Sequence, residues 1–337
     1  MRLKKMLLCL TMLFFIMACN HSTFDKPVDY KYGLVYTSYS KPESKIVLLS
    51  EKLKPVKTIA FKKGGLQSGV IKGDHYYNPA VGTNSTTGHD IIDLDLSTLR
   101  LRFIHTDDFP MDLDVDDKNR YMYAVHNSGF DSGTLTKIDI KRNKIVARKT
   151  LNGTLRQVKV YKGKVYVASD RVDEHFQSVY VLTTDLKLKK QLINRYTGAP
   201  NDLAVAGKQL FIINNAKSDM DQATNELVSL SLDDEKLHRT ALKAYDPWQM
   251  LQYGNDQYVT HYNSSADEGN KVTVRTKQGE RIVTLQNNLW ISRIADGRFY
   301  SSDGLDLYIY HLNDFKLIKK KSVRSSRYVL YDFFIKP

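Results

Sequence analysis

The sequence predicts an all-β fold of repeated four-stranded sheets arranged in a ring, and three observations carry that prediction. From Tyr32 onward, short runs rich in Val, Ile, Leu and Tyr are punctuated by Gly, Asn and Asp, and helical periodicity is scarce. A turn recurs at Gly73, Lys118, Gly163, Gly207, Gly254 and Gly297, with gaps of 45, 45, 44, 47 and 43 residues. The two ends of the chain are complementary fragments of one unit. Tyr32–Ser38, Lys45–Leu49 and Val56–Phe61 read as three strands without a first, and Arg327–Phe334 reads as a first strand without the rest.

The unit is clearest at Pro200–Leu232. Its first strand is Leu203–Val205, and the turn Ala206–Lys208 leads to the second, Gln209–Asn214. The third strand is Leu227–Leu232, and a fourth run is Leu237–Leu242. Val228, Leu230 and Leu232 share one face of the third strand and Ser229 and Ser231 the other, the alternation of a half-buried strand. Second strands recur at His75–Ala80, Tyr121–Val125, Lys164–Ala168, Gln257–His261 and Arg298–Ser302. Third strands recur at Ile91–Leu96, Leu135–Ile140, Val179–Thr183, Lys271–Thr276 and Leu307–Leu312.

Six units are complete, and the two ends supply a seventh. A repeat of this length with four strands per unit is the pattern of a β-propeller blade. The expected architecture is therefore a seven-bladed β-propeller with four antiparallel strands per blade. Its N- and C-terminal strands close the ring in one shared blade. Closure removes the open sheet edge that otherwise invites pairing with other chains.

Two segments carry a family resemblance: PNDLAVAGKQLFII from Pro200 to Ile213 and PMDLDVDDKNRYMYAV from Pro110 to Val125. They resemble the blades of the YVTN-repeat and quinoprotein-dehydrogenase-like propellers. Those blades often carry a Pro-x-x-hydrophobic strand, an Asp-Gly-Lys turn and a Leu-Tyr-Val strand. The resemblance covers Tyr32 to the C terminus and implies a fold, not a reaction.

The first 18 residues read as a processing signal. Arg2, Lys4 and Lys5 precede an apolar run, Met6–Ala18, of 13 residues, too short to span a bilayer unaided. The run ends Ile16-Met17-Ala18-Cys19, which resembles a bacterial lipobox. That resemblance implies cleavage before Cys19, lipidation of Cys19 and anchorage on the extracytoplasmic face of the cell membrane. Several acyl chains on one cysteine suit stable anchoring, because a single chain binds only marginally. The domains expected are a signal peptide at 1–18, the lipidated cysteine and a tether at 19–31, and the propeller at 32–337.

Cys9 would leave with the signal, so the mature chain has no cysteine pair and must rely on its packed core. Low Ala and Gly with high Lys and Tyr fit an AT-rich bacterial genome, and absent disulfides fit a Gram-positive surface. Removing Arg2, Lys4 and Lys5 lowers the net charge from +13 to +10. Outside the membrane, anionic lipid and wall polymer are the neighbours to expect, and nucleic acid is not. The lysines are scattered along strands and turns, the pattern of a well-solvated surface. A monomer is expected.

In a propeller, the loops between blades and those between second and third strands emerge on one face around the central channel. The second-to-third-strand loops offer His126, Asp170, Arg171, His261, Asn263 and Asp303. The blade starts offer Arg156, Gln157, Asn201, Asp202, Trp248 and Gln249, with Gln67, Asp112, Trp290 and Arg327 beside them. This mixture suits a polar ligand, a sugar or a peptide, although Asn, Asp and Ser are also what loops are commonly made of. No catalytic set assembles: the nine histidines are scattered, and neither a Gly-x-Ser-x-Gly elbow nor a His-Glu-x-x-His helix occurs. His175, on a long loop, is a further contact candidate. The leading expectation is non-catalytic binding of a polar ligand, a protein or a glycan through the propeller face, without a cofactor.

The alternative is a metal-dependent hydrolase. Pro200-Asn201-Asp202-Leu203 resembles a segment of gluconolactonase-type propellers, which implies a divalent ion such as calcium near Asn201 and Asp202. Those enzymes usually have six blades, and no glutamate stands at an equivalent blade start here. Asp112–Asp116 resembles the opening of a calcium loop, but Asp117 takes the glycine place and Tyr123 the closing glutamate place. It reads better as a strand with its aspartates outward and Met111, Leu113 and Val115 inward, running into the turn Asp116–Arg120. A quinone-dependent dehydrogenase is poorly supported by two tryptophans and one mature cysteine.

Overall fold

The computed structural model describes residues 28–127, 129–171, 176–195, 198–215 and 224–337. The expected leader, Cys19, most of the expected tether, Ser128 and His175 lie outside the described residues. The described chain forms 28 strands in seven sheets of four antiparallel strands each. This is the seven-bladed β-propeller.

Blade 1 is the shared one. Its innermost strand, Val329–Ile335, pairs with Tyr32–Thr37, which pairs with Ser44–Leu49 and then Pro55–Phe61. The closing register puts Gly33 opposite Phe334 and Tyr36 opposite Leu330. Blades 2 to 7 start on the innermost strands Val70–Lys72, Pro110–Val115, Thr154–Tyr161, Ala199–Ala206, Pro247–Tyr253 and Ile291–Ala295.

The turns behave as their spacing implies. Gly73, Gly163, Gly207, Gly254 and Gly297 all have positive φ, the region glycine enters without a Cβ penalty. In blade 3 the left-handed residue is Asn119, the neighbour of Lys118. Asparagine is among the few other residues that tolerate this conformation.

Packing differs from a simple half-buried sheet. Seven apolar clusters each join two neighbouring blades, so every blade is covered on both faces. In the third strand of blade 5, Val228 and Leu230 pack toward blade 4, yet Ser229 on the other face is buried too. The alternation in the sequence marks two covered faces, not one wet and one dry. Solvent reaches the outermost strands, some of which alternate, as Lys144–Asn152 does, while others such as Leu317–Ser322 are exposed along most of their length.

The innermost strands have one edge with no strand beside it, and side chains bond several of its exposed N–H groups. Asp112 Oδ2 accepts from Val158 N, and Asp114 Oδ2 from Val160 N, both at 2.8 Å across blades 3 and 4. Asp202 Oδ2 accepts from Met250 N at 2.8 Å. Gln249 Oε1 accepts from Ser292 N at 2.8 Å, and Asp332 Oδ2 from Gly69 N at 2.7 Å. These bonds overturn the outward placement of Asp112 and Asp114: both reach the next blade, and Asp114 is buried. An enclosed N–H left unpaired is costly, which accounts for acceptors at these places.

Candidate functional site at the channel mouth

The geometry of the site comes from a repeated irregularity. At Pro110/Asp112, Leu155/Gln157, Pro200/Asp202 and Pro247/Gln249 the pairing register slips by one residue. The same slip in blade 1 skips Tyr331. The skipped residues are therefore Met111, Arg156, Asn201, Trp248 and Tyr331. A bulge re-aims the side chain it skips. Four of these five, Met111, Asn201, Trp248 and Tyr331, line the axial cavity, which has a volume of about 250 Å³. Gln67, Ser68, Gln157, Asp202, Gln249, Trp290, Lys159 and Arg293 also line it.

One side of the mouth is aromatic. The Trp248 and Trp290 ring centroids are 5.5 Å apart, and Trp290 meets Tyr331 edge-on at 5.7 Å. Tyr331 meets Tyr39 at 5.9 Å, and Tyr262 meets both tryptophans edge-on at 5.2 and 5.4 Å. Trp248 Nε1 donates to the Trp290 carbonyl at 2.8 Å, which fixes one ring against the next blade. Such edge and tilted contacts are the preferred geometries for aromatic pairs.

The charged lining residues are paired or bonded. Arg293 donates to Asp332 Oδ1 at 2.6 Å, and Lys159 Nζ lies 3.2 Å from Asp114 Oδ2. Enclosure in the channel wall pushes the Asp112 carboxyl up to about 7, helped by the Asp114 charge and opposed by the Val158 N–H and by Lys159. Desolvation also raises Asp202 and Asp332.

The twelve residues marked in the loops and at the blade starts divide by place. Gln157, Asn201, Asp202, Trp248 and Gln249 meet at the cavity. Arg156 turns to Asp170, with Nε–Oδ1 at 2.9 Å and Nη2–Oδ2 at 3.2 Å. Arg171 lies over the Phe176 ring at 5.8 Å. His126 and His261 are buried, and both nitrogens of each ring are bonded, to Asp108 O and Thr136 Oγ1 and to Tyr245 O and Thr273 Oγ1. Burial lowers His126 and brings His261 down to about 4. Asn263 Oδ1 accepts from Ser265 N and Ala266 N, each at 3.0 Å. Asp303 Oδ1 accepts from Leu305 N at 2.9 Å and Asp306 N at 2.8 Å. These last two close their own tight loops, the usual work of Asn and Asp.

Asn201 and Asp202 already have partners. Asn201 Nδ2 donates to the Trp248 carbonyl at 2.8 Å, and Asp202 accepts from Met250 N of the next blade and from the backbone N–H of its neighbour Leu203. Among the described residues no three His, Cys, Asp or Glu side chains converge as ligands for a metal ion.

Ser68, Tyr331, Lys159 and Arg293 were not singled out by sequence. For Tyr331 a signal exists. Each skipped residue precedes an amide or carboxyl: Met111-Asp112, Arg156-Gln157, Asn201-Asp202, Trp248-Gln249 and Tyr331-Asp332. Aligning these dipeptides across blades finds the tyrosine. Lys159 and Arg293 lie farther along their strands and follow no such rule.

No protein-family model and no curated protein matches the chain. Solved structures do. The chain is similar to a functionally unknown protein from Desulfotomaculum acetoxidans, at 10% identity and TM-score 0.65 over 90% of this chain and 98% of that one. It is similar to hydrazine synthase from Kuenenia stuttgartiensis, at 13% identity and TM-score 0.59 over 91% and 98%. The dihydro-heme d1 dehydrogenase NirN is similar at 10% identity and TM-score 0.61, over 91% of this chain and 66% of that one. At such identities the likeness establishes the propeller fold and nothing finer.

Proposed function

We propose that this chain is a lipid-anchored, extracytoplasmic binding protein that holds a polar ligand or a protein partner at the channel mouth without turning it over. One observation carries the binding reading. Bulged residues from several blades converge on a single cavity that mixes aromatic rings with amide groups. Such a concave site with a few convergent polar groups is the default place for a ligand. The anchor rests on Ile16-Met17-Ala18-Cys19 and the basic, apolar leader before it.

Crosslinking on intact cells tests the site. A photoreactive phenylalanine analogue replacing Ser68 at the mouth should capture a discrete species. The same replacement at Lys118, on the turn side of the wheel, should not. Equal capture from both positions, or from Lys118 alone, overturns the assignment to this face.

A further inference from the structure

We propose that the channel mouth binds one neutral, hydroxyl-rich ring of a glycan. The inference rests on the channel-mouth reading above and names the ligand class for that site. Three properties of the mouth point to it.

The first is the shape of the aromatic wall. Tyr331, Trp290 and Trp248 line the cavity in succession with centroid steps of 5.7 and 5.5 Å, and Tyr39 backs Tyr331 at 5.9 Å. A pyranose has an apolar C–H face and a polar rim. Rings with electron-rich faces suit the C–H face, and Trp and Tyr present apolar bodies with a polar tip.

The second is the hydrogen-bonding capacity beside that wall. Among the described residues the Gln157 amide and the Trp290 indole N–H make no hydrogen bond. Gln249 has its Oε1 on Ser292 N, which leaves its Nε2 unbonded, and Asn201 has its Nδ2 on the Trp248 carbonyl, which leaves its Oδ1 unbonded. Donors and acceptors are thus interleaved around the cavity. Each sugar hydroxyl both donates and accepts, so an interleaved set matches it. A carboxylate or an ammonium ligand would ask for one kind only.

The third is charge. The cations at the mouth have carboxylate partners: Arg293 is bonded to Asp332 and Lys159 lies against Asp114. Among the described residues that line the cavity, no positive group is left without a carboxylate partner to attract an anion. The cavity of about 250 Å³ is smaller than the roughly 300–1,000 Å³ of pockets for drug-sized ligands. It has room for a single ring, and the rest of a longer glycan would run out over the rim.

The two tryptophans of the chain both sit at this mouth, so intrinsic fluorescence reports the site directly. The full mature chain is titrated with glucose, N-acetylglucosamine, maltotetraose and chitotetraose, and with choline and glycerol phosphate as charged probes. A saturable emission change with at least one neutral sugar is expected. Gln157→Ala should weaken it by roughly tenfold or more while leaving the melting temperature unchanged. A response confined to choline or glycerol phosphate, no response to any neutral sugar, or full-strength binding by Gln157→Ala overturns the proposal. Crosslinking from position 68 separates the two failures. Capture at the mouth without a sugar response removes the glycan and keeps the face, whereas loss of both removes the face as well.

Discussion

The Asp112 carboxyl shows how a polar side chain at the axis serves the wheel before any ligand. It accepts the Val158 N–H of the next blade, and its enclosure pushes its pKa up to about 7. The folded chain therefore holds a proton there that the unfolded chain releases near pH 4. Between about pH 4 and 7 the native state binds more protons, so this group lowers stability as pH rises, by at most about 1.4 kcal/mol per pH unit. Asp112→Asn keeps an acceptor for Val158 and removes the titration. Melting curves should show the variant gaining on the parent between about pH 4 and 7, and a constant gap would mean that Asp112 titrates normally. Asp202 gives a second residue-scale test. Asp202→Ala strands the Met250 N–H and should cost roughly 1–3 kcal/mol, while Asp202→Asn should cost less. Urea unfolding that ranks the two variants the other way would show that the carboxylate charge, not the hydrogen bond, holds this junction.

At the scale of the element, closure depends on a close approach in blade 1. A Cβ built on Gly33 would lie 2.1 Å from the Phe334 ring, which itself packs on Tyr76 with centroids 4.5 Å apart. Phe334 is buried, so the ring has little room to retreat. Gly33→Ala should destabilise by roughly 1–3 kcal/mol, the range for overpacking. Adding Phe334→Leu should restore part of that loss, because the two changes share one clash. Additive losses in the double variant would place the damage elsewhere. The bulges act at the same scale. They turn Met111, Asn201, Trp248 and Tyr331 to the axis and leave their neighbours Asp112, Asp202, Gln249 and Asp332 to link the blades.

For the whole molecule, the ring and the anchor are separate questions. Cys19→Ser removes the proposed lipid site, and fractionation of cells should then find the protein released from the membrane; retention would show another anchor. A metal-dependent hydrolase would bind its ion only in the folded state, and such a ligand raises the melting temperature. On the binding reading, melting curves in calcium and in a chelator should coincide. A chelator-sensitive melt would revive the ion at Asn201 and Asp202.

The sequence by itself determined the wheel. Repeats near 45 residues, turn residues suited to positive φ, and ends that complete each other specify seven blades, because a local pattern of strands and turns is written directly in residue types. It also marked Gln157, Asn201, Trp248 and Gln249, which the fold brings together at one cavity. Tertiary structure alone decided which polar residues reach the axis. His126, His261 and Asp170 resemble loop ligands in sequence, yet neighbouring strands bury them and satisfy their bonds. Asp112 and Asp114 look solvent-facing by alternation, yet the unpaired edge of the next blade takes them up. Periodicity encodes which side of a strand a residue occupies. What waits on that side, water or another blade's backbone, is settled only when the ring closes.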